Sequence, residues 1–228
     1  MNGSAPTSGP GSGQDQAPIR VALVDDHSMV TQALSSVLQD EAGVEVAKTG
    51  ASAADALEIL RAAEVDVLVL DYNLPDGGAL RVLEEARAAE LATPVLVLTM
   101  HENPQYAVRV LEAGAQGFLV KSSAVDELVA GIRTVHGGEV YLTPTLAGTV
   151  VDRLRKSRGE RTGLDGLSPR EFELLRLLAG GLGLKQAAGT LDISVSTAST
   201  YRARLLEKLG LETTSELIRF ALENGLVE

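Results

Sequence analysis

The sequence predicts an α/β protein: a doubly wound, five-stranded parallel sheet followed by a small all-α unit of four helices. Two observations lead there. Between residues 19 and 137, short β-rich runs alternate with stretches of helical length. Strand–helix repeats of this kind build a parallel sheet with helices on both faces. From Leu167 onward the strand-like runs stop, and capped helical segments replace them.

The strands are IRVALV (19–24), VEVAK (44–48), VDVLVL (65–70), PVLVLT (94–99) and GFLV (117–120). Between the first two, SMVTQALSSVL sets Met29, Val30, Ala33, Leu34, Val37 and Leu38 along one stripe of a helix. ASAADALEILRAA, GALRVLEEARAA, NPQYAVRVLEAG and AVDELVAGIRTV supply the other helices, with Gly43, Gly114 and Gly137 near helix ends. In the back unit LSPREFELLRLLAGG opens with Ser168 as cap, Pro169 at the first helical position and Glu171 completing a capping box. KQAAGTL, VSTASTYRARLLEKLG and TTSELIRFALENG follow. The short helix, the turn DIS and the longer helix carrying Arg and Thr form a helix-turn-helix pattern. LAGTVVDRLRK reads as a connecting helix and SRGERTGLDG as a polar hinge. The expected division is a disordered Gly/Ser/Pro-containing tail (1–18), an α/β unit (19–137), a linker with a helix (138–163) and the helical unit (164–228).

In 228 residues, 45% hydrophobic and 22% charged content fits a soluble globular chain. No apolar run approaches the roughly 20 residues needed to cross a bilayer. The first residues lack the basic and apolar regions of a secretory signal, so a cytoplasmic location is expected. The absence of cysteine excludes disulfides and thiolate chemistry. The net charge of -11 is unevenly placed. Residues 19–138 hold 8 Lys/Arg against 18 Asp/Glu, whereas residues 139–228 hold 12 of each, which suggests two units with different partners.

Polar residues stand where the strands end: Asp25 and Asp26 after the first, Asp71 after the third, Thr99 on the fourth and Lys121 after the fifth. Ligands of open parallel sheets bind at those carboxyl ends, at a topological switch point. Three carboxylates on one edge are costly unless a cation neutralises them, and hard oxygen ligands suit Mg²⁺. A carboxylate beside Mg²⁺ can attack a phosphoryl group and become an acyl phosphate. Lys121 would neutralise phosphoryl oxygens, and the Thr99 hydroxyl would hydrogen-bond one of them. Each residue alone is an ordinary strand-end group; the specificity lies in the combination. A Mg²⁺-dependent phosphohydrolase with a strand-end Asp nucleophile is the competing class, and no second catalytic acid is obvious beyond DYN.

VALVDDHSMV, VDVLVLDYNLPDGG, PVLVLT and AGAQGFLVK resemble the receiver domain of two-component response regulators, a flavodoxin-like fold. LSPREFELLRLLAGGL through YRARLLEKLG resembles the LuxR-type helix-turn-helix, and GGEVYLTP between them completes a resemblance to the NarL/FixJ family. STYRARLLEKL is most similar to its GacA/BvgA/EvgA branch. The resemblance implies a phosphorylation-dependent, DNA-binding transcriptional regulator rather than an enzyme. Asp71 would accept phosphate from a sensor histidine kinase. Asp26 would bind Mg²⁺ directly, Asp25 largely through water, and Asn73 through its backbone carbonyl. Thr99 would be the switch hydroxyl, Lys121 the phosphate-binding cation and Phe118 the switch aromatic. A homodimer on double-stranded DNA would be the phosphorylated form.

On a helix starting near Val195, Thr197, Tyr201, Arg204 and Lys208 fall on one face, flanked by Thr200 and Arg202, with Ala198, Leu205 and Leu209 on the other. Such a face fits a major groove, with Arg204 a candidate for a base or phosphate. Lys185 and Ser196 join the expected DNA contacts. Ser196 stands where the family commonly has Lys. Asp192 stands in the turn where Gly is common, unfavourably for phosphate.

Overall fold

The computed structural model describes residues 17–123, 125–143, 146–148, 150–151 and 163–226. Its front unit runs β1 (Ile19–Val24), α1 (Ser28–Gln39), β2 (Val44–Gly50), α2 (Ala53–Ala62), β3 (Val67–Asp71), α3 (Gly78–Ala88), β4 (Val95–Thr99), α4 (Pro104–Ala113), β5 (Gly117–Val120) and α5 (Val125–His136). The strands pair in parallel, in the order β2-β1-β3-β4-β5. The order reverses direction at β1 and β3, so their carboxyl ends flank the switch point.

Alternation along each strand splits the core in two. Ala22, Val24, Leu68, Leu70, Val97 and Phe118 face α2, α3 and α4. Val21, Leu23, Val67, Val69, Leu96, Leu98 and Leu119 face the α1 and α5 side. The turn after β3 is fixed by backbone demands: Gly78 has φ +68, and a Cβ there would lie 2.9 Å from the Tyr72 carbonyl oxygen. That carbonyl accepts the Ala79 N–H at 3.0 Å. Asp76 in the same turn accepts the N–H groups of Ala53 and Ala54, satisfying the first turn of α2.

A sixth strand, β6 (Tyr141–Leu142), adds to the five expected and pairs parallel with β5. It was invisible as a pattern because two residues show no period. Gly131 on α5 leaves room for it, since a Cβ there would lie 3.2 Å from the Tyr141 ring, while Gly117 on β5 spares a clash with Leu96 and Val135. The expected tail (1–18) lies outside the described residues as far as residue 16, and most of the connecting helix lies outside them too. Residues 146–148 and 150–151 are helical, with Leu146 and Val150 buried. The described end of the expected hinge, Gly163–Gly166, is a 3₁₀ turn with Leu164 buried.

The back unit contains α6 (Pro169–Ala179), α7 (Leu184–Thr190), α8 (Val195–Leu209) and α9 (Thr214–Glu223). Ser168 and Glu171 form the expected capping box of α6, and Ser194 caps α8 by accepting the Thr197 N–H at 3.0 Å. The two units are packed together. One apolar cluster runs from Tyr72, Tyr106 and Phe118 into Phe172, Leu174, Leu175 and Leu226. Helix α4 is therefore buried nearly all round, between its own sheet and the helical unit.

The helical unit is also held by polar contacts. The Tyr72 hydroxyl donates to Glu173 Oε1 at 2.5 Å, and the Tyr106 hydroxyl donates to the Leu226 carbonyl at 2.8 Å. Arg109 donates to the carbonyls of Leu164 and Leu167 and lies over the Phe172 ring, 4.7 Å from its centroid. Gln105 donates to Asp165 at 2.7 Å, and Asn103 donates to the Asn224 carbonyl at 2.6 Å.

Candidate phosphoacceptor site and nucleic-acid interface

Asp71 closes β3, and its side chain is 3% exposed. Lys121, on the loop after β5, reaches back across the sheet edge. Its Nζ is 2.9 Å from Asp71 Oδ1 and 2.6 Å from Asp25 Oδ2. Thr99, fully buried at the end of β4, accepts the His101 N–H at 3.1 Å, and its carbonyl accepts the Lys121 N–H at 2.7 Å. Four strand ends thus bring Asp25, Asp71, Thr99 and Lys121 to one rim, with Asp26 beside them at the edge.

The electrostatics are those of a strained anionic cluster. Burial raises the Asp71 pKa to about 6, Lys121 opposes that rise, and Asp25 and Asp26 add to it. Burial pulls Lys121 down, but its hydrogen bonds to Asp25 and Asp71 outweigh this and raise it. His27 spans the first two acids: its Nδ1 is 3.2 Å from Asp25 Oδ1 and 2.8 Å from Asp26 Oδ1.

The donor set fits a hard divalent cation. Ligand atoms of Asp25, Asp26, His27 and Asp71 lie within 4.8 Å of one another. Asp71 Oδ2 is buried without a hydrogen-bond partner, the state that an oxygen-preferring cation relieves. Asn73 adds a side-chain Oδ1 in the same condition; the sequence had pointed to its backbone carbonyl. His27 carries the one signal the sequence reading passed over, its place directly after the acid pair. Phe118 is fully buried in the cluster that reaches the helical unit, with its register partner Val97 on β4.

On α8 the structure sorts the expected contacts. Ser196, Thr200, Arg204 and Lys208 are exposed, as is Lys185 on α7. Thr197 is half-buried and committed to the cap, its hydroxyl 2.8 Å from that of Ser194. Tyr201 is half-buried and packs against the core, and Arg202 is half-buried with an unpartnered Nε. The Lys208 ammonium is 2.7 Å from Glu171 Oε2 and donates to the Gly166 carbonyl at 3.2 Å. Asp192 has φ +53, the left-handed conformation that explains why glycine suits that turn. Ser196, Thr200 and Arg204 of α8 point to solvent, while α6 is buried against α4.

An acid–lysine–threonine rim on a parallel sheet, joined to a helix-turn-helix, defines a class of protein, the response regulators with a DNA-binding output. Residues 21–133 match the response regulator receiver domain, and residues 165–221 match the bacterial regulatory proteins of the luxR family. The chain is similar to the transcriptional regulatory protein MctR of Rhizobium johnstonii, with 37% identity over 93% of this chain and 97% of that one. It is also similar to the oxygen regulatory protein NreC of Staphylococcus carnosus, with 29% identity over 92% of this chain and all of that one (100%). Among solved structures it resembles the response regulator ChrA of a heme-sensing two-component system, at TM-score 0.52 and 28% identity over 92% of this chain and 100% of that one. It likewise resembles RcsB of Salmonella enterica serovar Typhimurium bound to a promoter with the phosphomimetic BeF3-. There the TM-score is 0.68 and the identity 26%, over 91% of this chain and 98% of that one. The chain belongs to the NarL/FixJ family of response regulators. It is a DNA-binding transcriptional regulator and not a phosphohydrolase. Among the described residues no helix is long and apolar enough to cross a membrane.

Proposed function

We propose that Asp71 accepts a phosphoryl group from a sensor histidine kinase and that the acyl phosphate switches pairing and DNA binding of the regulator in the cytoplasm. The observation that carries the reading is the Asp71 carboxylate itself. One oxygen lies 2.9 Å from Lys121 Nζ, and the other is buried without a partner in a cluster of carboxylates. A carboxylate oxygen of Asp71 attacks phosphorus, the bond to the donor nitrogen breaks, and that nitrogen keeps the electron pair. Lys121 balances charge on the phosphoryl oxygens. A hydroxyl that accepts from His101 can still donate, so Thr99 can turn its proton toward a phosphoryl oxygen.

Asp25, Asp26 and Asp71, with Asn73, are the residues that would hold Mg²⁺. When bound, Mg²⁺ neutralises the acids and the phosphoryl charge. The chain's own contribution is to hold the nucleophile at a rim where its pKa, about 6, leaves it largely ionised at neutral pH. Labelling with a small acyl phosphate tests the assignment: Asp71→Asn keeps the size of the side chain and should abolish incorporation, as should excess EDTA. Equal labelling of the Asn variant refutes it.

The DNA contacts we assign are Ser196, Thr200, Arg204 and Lys185, all exposed, with Thr197, Tyr201 and Arg202 supporting the helix from its half-buried side. Lys208 joins them only by leaving Glu171. One recognition helix reads few base pairs, so a homodimer on a two-fold-related double-stranded site would supply most of the affinity. Phosphate brings a charge of about -1.5 to -2, and the move of Thr99 toward it, with Phe118 following, would release the helical unit, pair two copies, or both.

A further inference from the structure

Residue Tyr72 follows the phosphoacceptor and is used by nothing in the chemistry described above. It is 1% exposed, so its position is set by packing rather than by solvent. Asp71 ends β3 and reaches the rim, while Tyr72, just past the strand, enters the cluster shared with the helical unit. Its backbone is clamped on both sides: its N–H donates to the Leu98 carbonyl at 2.7 Å, and its carbonyl accepts the Ala79 N–H at 3.0 Å. Leu98 directly precedes Thr99. The peptide joining Asp71 to Tyr72 is therefore tied to β4 next to the switch hydroxyl, and the following peptide is tied to the first turn of α3.

The phenol ends on a buried charge of the other domain. Its hydroxyl donates to Glu173 Oε1 at 2.5 Å, and Glu173 is 3% exposed. The second Glu173 oxygen takes Arg176 Nη2 at 3.3 Å, and the Arg176 guanidinium lies 5.7 Å from the centroid of the Tyr72 ring. The ring also packs edge-on against Tyr106 at 4.8 Å. Burial, and then the charge of Glu173, hold the phenol in its protonated form, well above its usual pKa. A carboxylate buried with two donors is tolerated; one that loses a donor is costly. The contact is therefore sensitive to a small displacement of the strand end.

We propose that Tyr72 is the positioning residue through which the state of Asp71 reaches the helical domain. Its hydrogen bond to Glu173 keeps the two domains closed, and displacement of the β3 end on phosphorylation weakens it. This rests on Asp71 being the phosphoacceptor. The contact leaves Ser196, Thr200 and Arg204 of α8 exposed, so it governs the relative placement of the domains rather than access to those residues.

The test uses the full-length protein. The chain has no cysteine, so spin labels can be placed at Glu58→Cys and Ser215→Cys, both exposed positions in different domains. Interdomain distances are measured with and without beryllofluoride and Mg²⁺ in the parent chain, in Tyr72→Phe and in Tyr106→Phe. Tyr72→Phe keeps the ring and removes the donor. It should shift the open-to-closed ratio about tenfold or more without beryllofluoride, the size expected for a hydrogen bond to a charged group. By reciprocity, beryllofluoride should bind the same variant more tightly by a similar factor. Adding Glu173→Gln to Tyr72→Phe should open the domains no further, since both changes act on one bond. A closed distance in Tyr72→Phe that opens with beryllofluoride as the parent does overturns the inference, as does opening by Tyr106→Phe in its place. If beryllofluoride neither binds nor acts on the parent chain, the phosphoacceptor reading fails instead. Misfolding of Tyr72→Phe would show as lost labelling at Asp71, and Glu173→Leu, which removes the acceptor, then carries the test, with opening expected and a closed distance overturning the proposal.

Discussion

Lys208→Met separates two uses of one cation. In the structure the ammonium pairs with Glu171, which is itself buried and also accepts the Ser168 N–H at 2.7 Å through its capping box. Met keeps the aliphatic stem and removes the donor. A hydrogen bond to a charged group contributes about 1.5–3 kcal/mol, but Lys208 is 41% exposed, and solvent screening reduces this to about 1–2 kcal/mol. For a chain of this size each kcal/mol moves the melting midpoint by about 2–4 °C, so a drop of roughly 2–8 °C is expected at neutral pH. The pH dependence has a definite sign. Burial pushes the Glu171 carboxyl upward, but hydrogen bonds from Lys208 and Ser168 outweigh burial and hold it below its ordinary value. A carboxylate depressed on folding stabilises above its unfolded pKa, and that stability is lost as pH falls through the folded value. The gap between parent and variant should therefore be full at pH 7 and shrink in acid, below the ordinary value of 4.5. Thermal unfolding across pH, with a salt titration of DNA binding, reads both. Equal midpoints at pH 7, with a salt slope reduced by about 0.9, would show that the charge serves a phosphate instead.

Arg204→Ala should cost about 1–3 kcal/mol at the specific site and relax preference at one base pair, read by binding to single-base variants of the site; equal losses on random DNA would reduce Arg204 to a backbone contact. Asp192→Gly should relieve a left-handed aspartate and remove an anion near the duplex, raising both the melting midpoint and the affinity for non-specific DNA. Arg109→Met strands the carbonyls of Leu164 and Leu167 and removes the cation over Phe172. Faster proteolysis between residues 138 and 163 should follow, and an unchanged digest would show that the contact is not holding the domains. Thr99→Ala should still be labelled by a small acyl phosphate yet stay monomeric in the ultracentrifuge with beryllofluoride; normal pairing would route the switch through another residue.

The five long strands and the helices between them were legible because their apolar patterns extend over many residues. The rim was legible for a related reason: a polar residue directly after an apolar strand has one place to go. The short strand at Tyr141 and Leu142 was not legible, since two residues show no period and their place depends on pairing with β5, in space rather than in pattern. The domain contact was equally hidden. Glu173 and Arg176 interrupt the apolar run of α6, and Arg109 lies between Tyr106 and Val110 on α4. Alone, such residues read as solvated charges on amphipathic helices. Only the packing shows that each faces the other domain, where burial makes its partner necessary. Lys208 carries the same lesson in reverse: its spacing matched a groove-facing stripe, while the charge it meets in the fold belongs to a helix cap 37 residues away.

The Arg109 guanidinium has a bearing on how such proteins can be recombined. Its two acceptors, the carbonyls of Leu164 and Leu167, are main-chain groups, so any sequence at those positions would present the same atoms. Tyr72 and Glu173 are side-chain partners and must be inherited together. A chimaera joined within residues 138–163 would therefore keep the half of the contact set by backbone and lose the half set by sequence. Its output domain would still dock on α4, but it would dock with a buried tyrosine or glutamate unmatched. Grafts that carry Glu173 and Arg176 along with the new helices should keep the regulated behaviour, whereas a change of output domain alone should leave the regulator constitutively loosened.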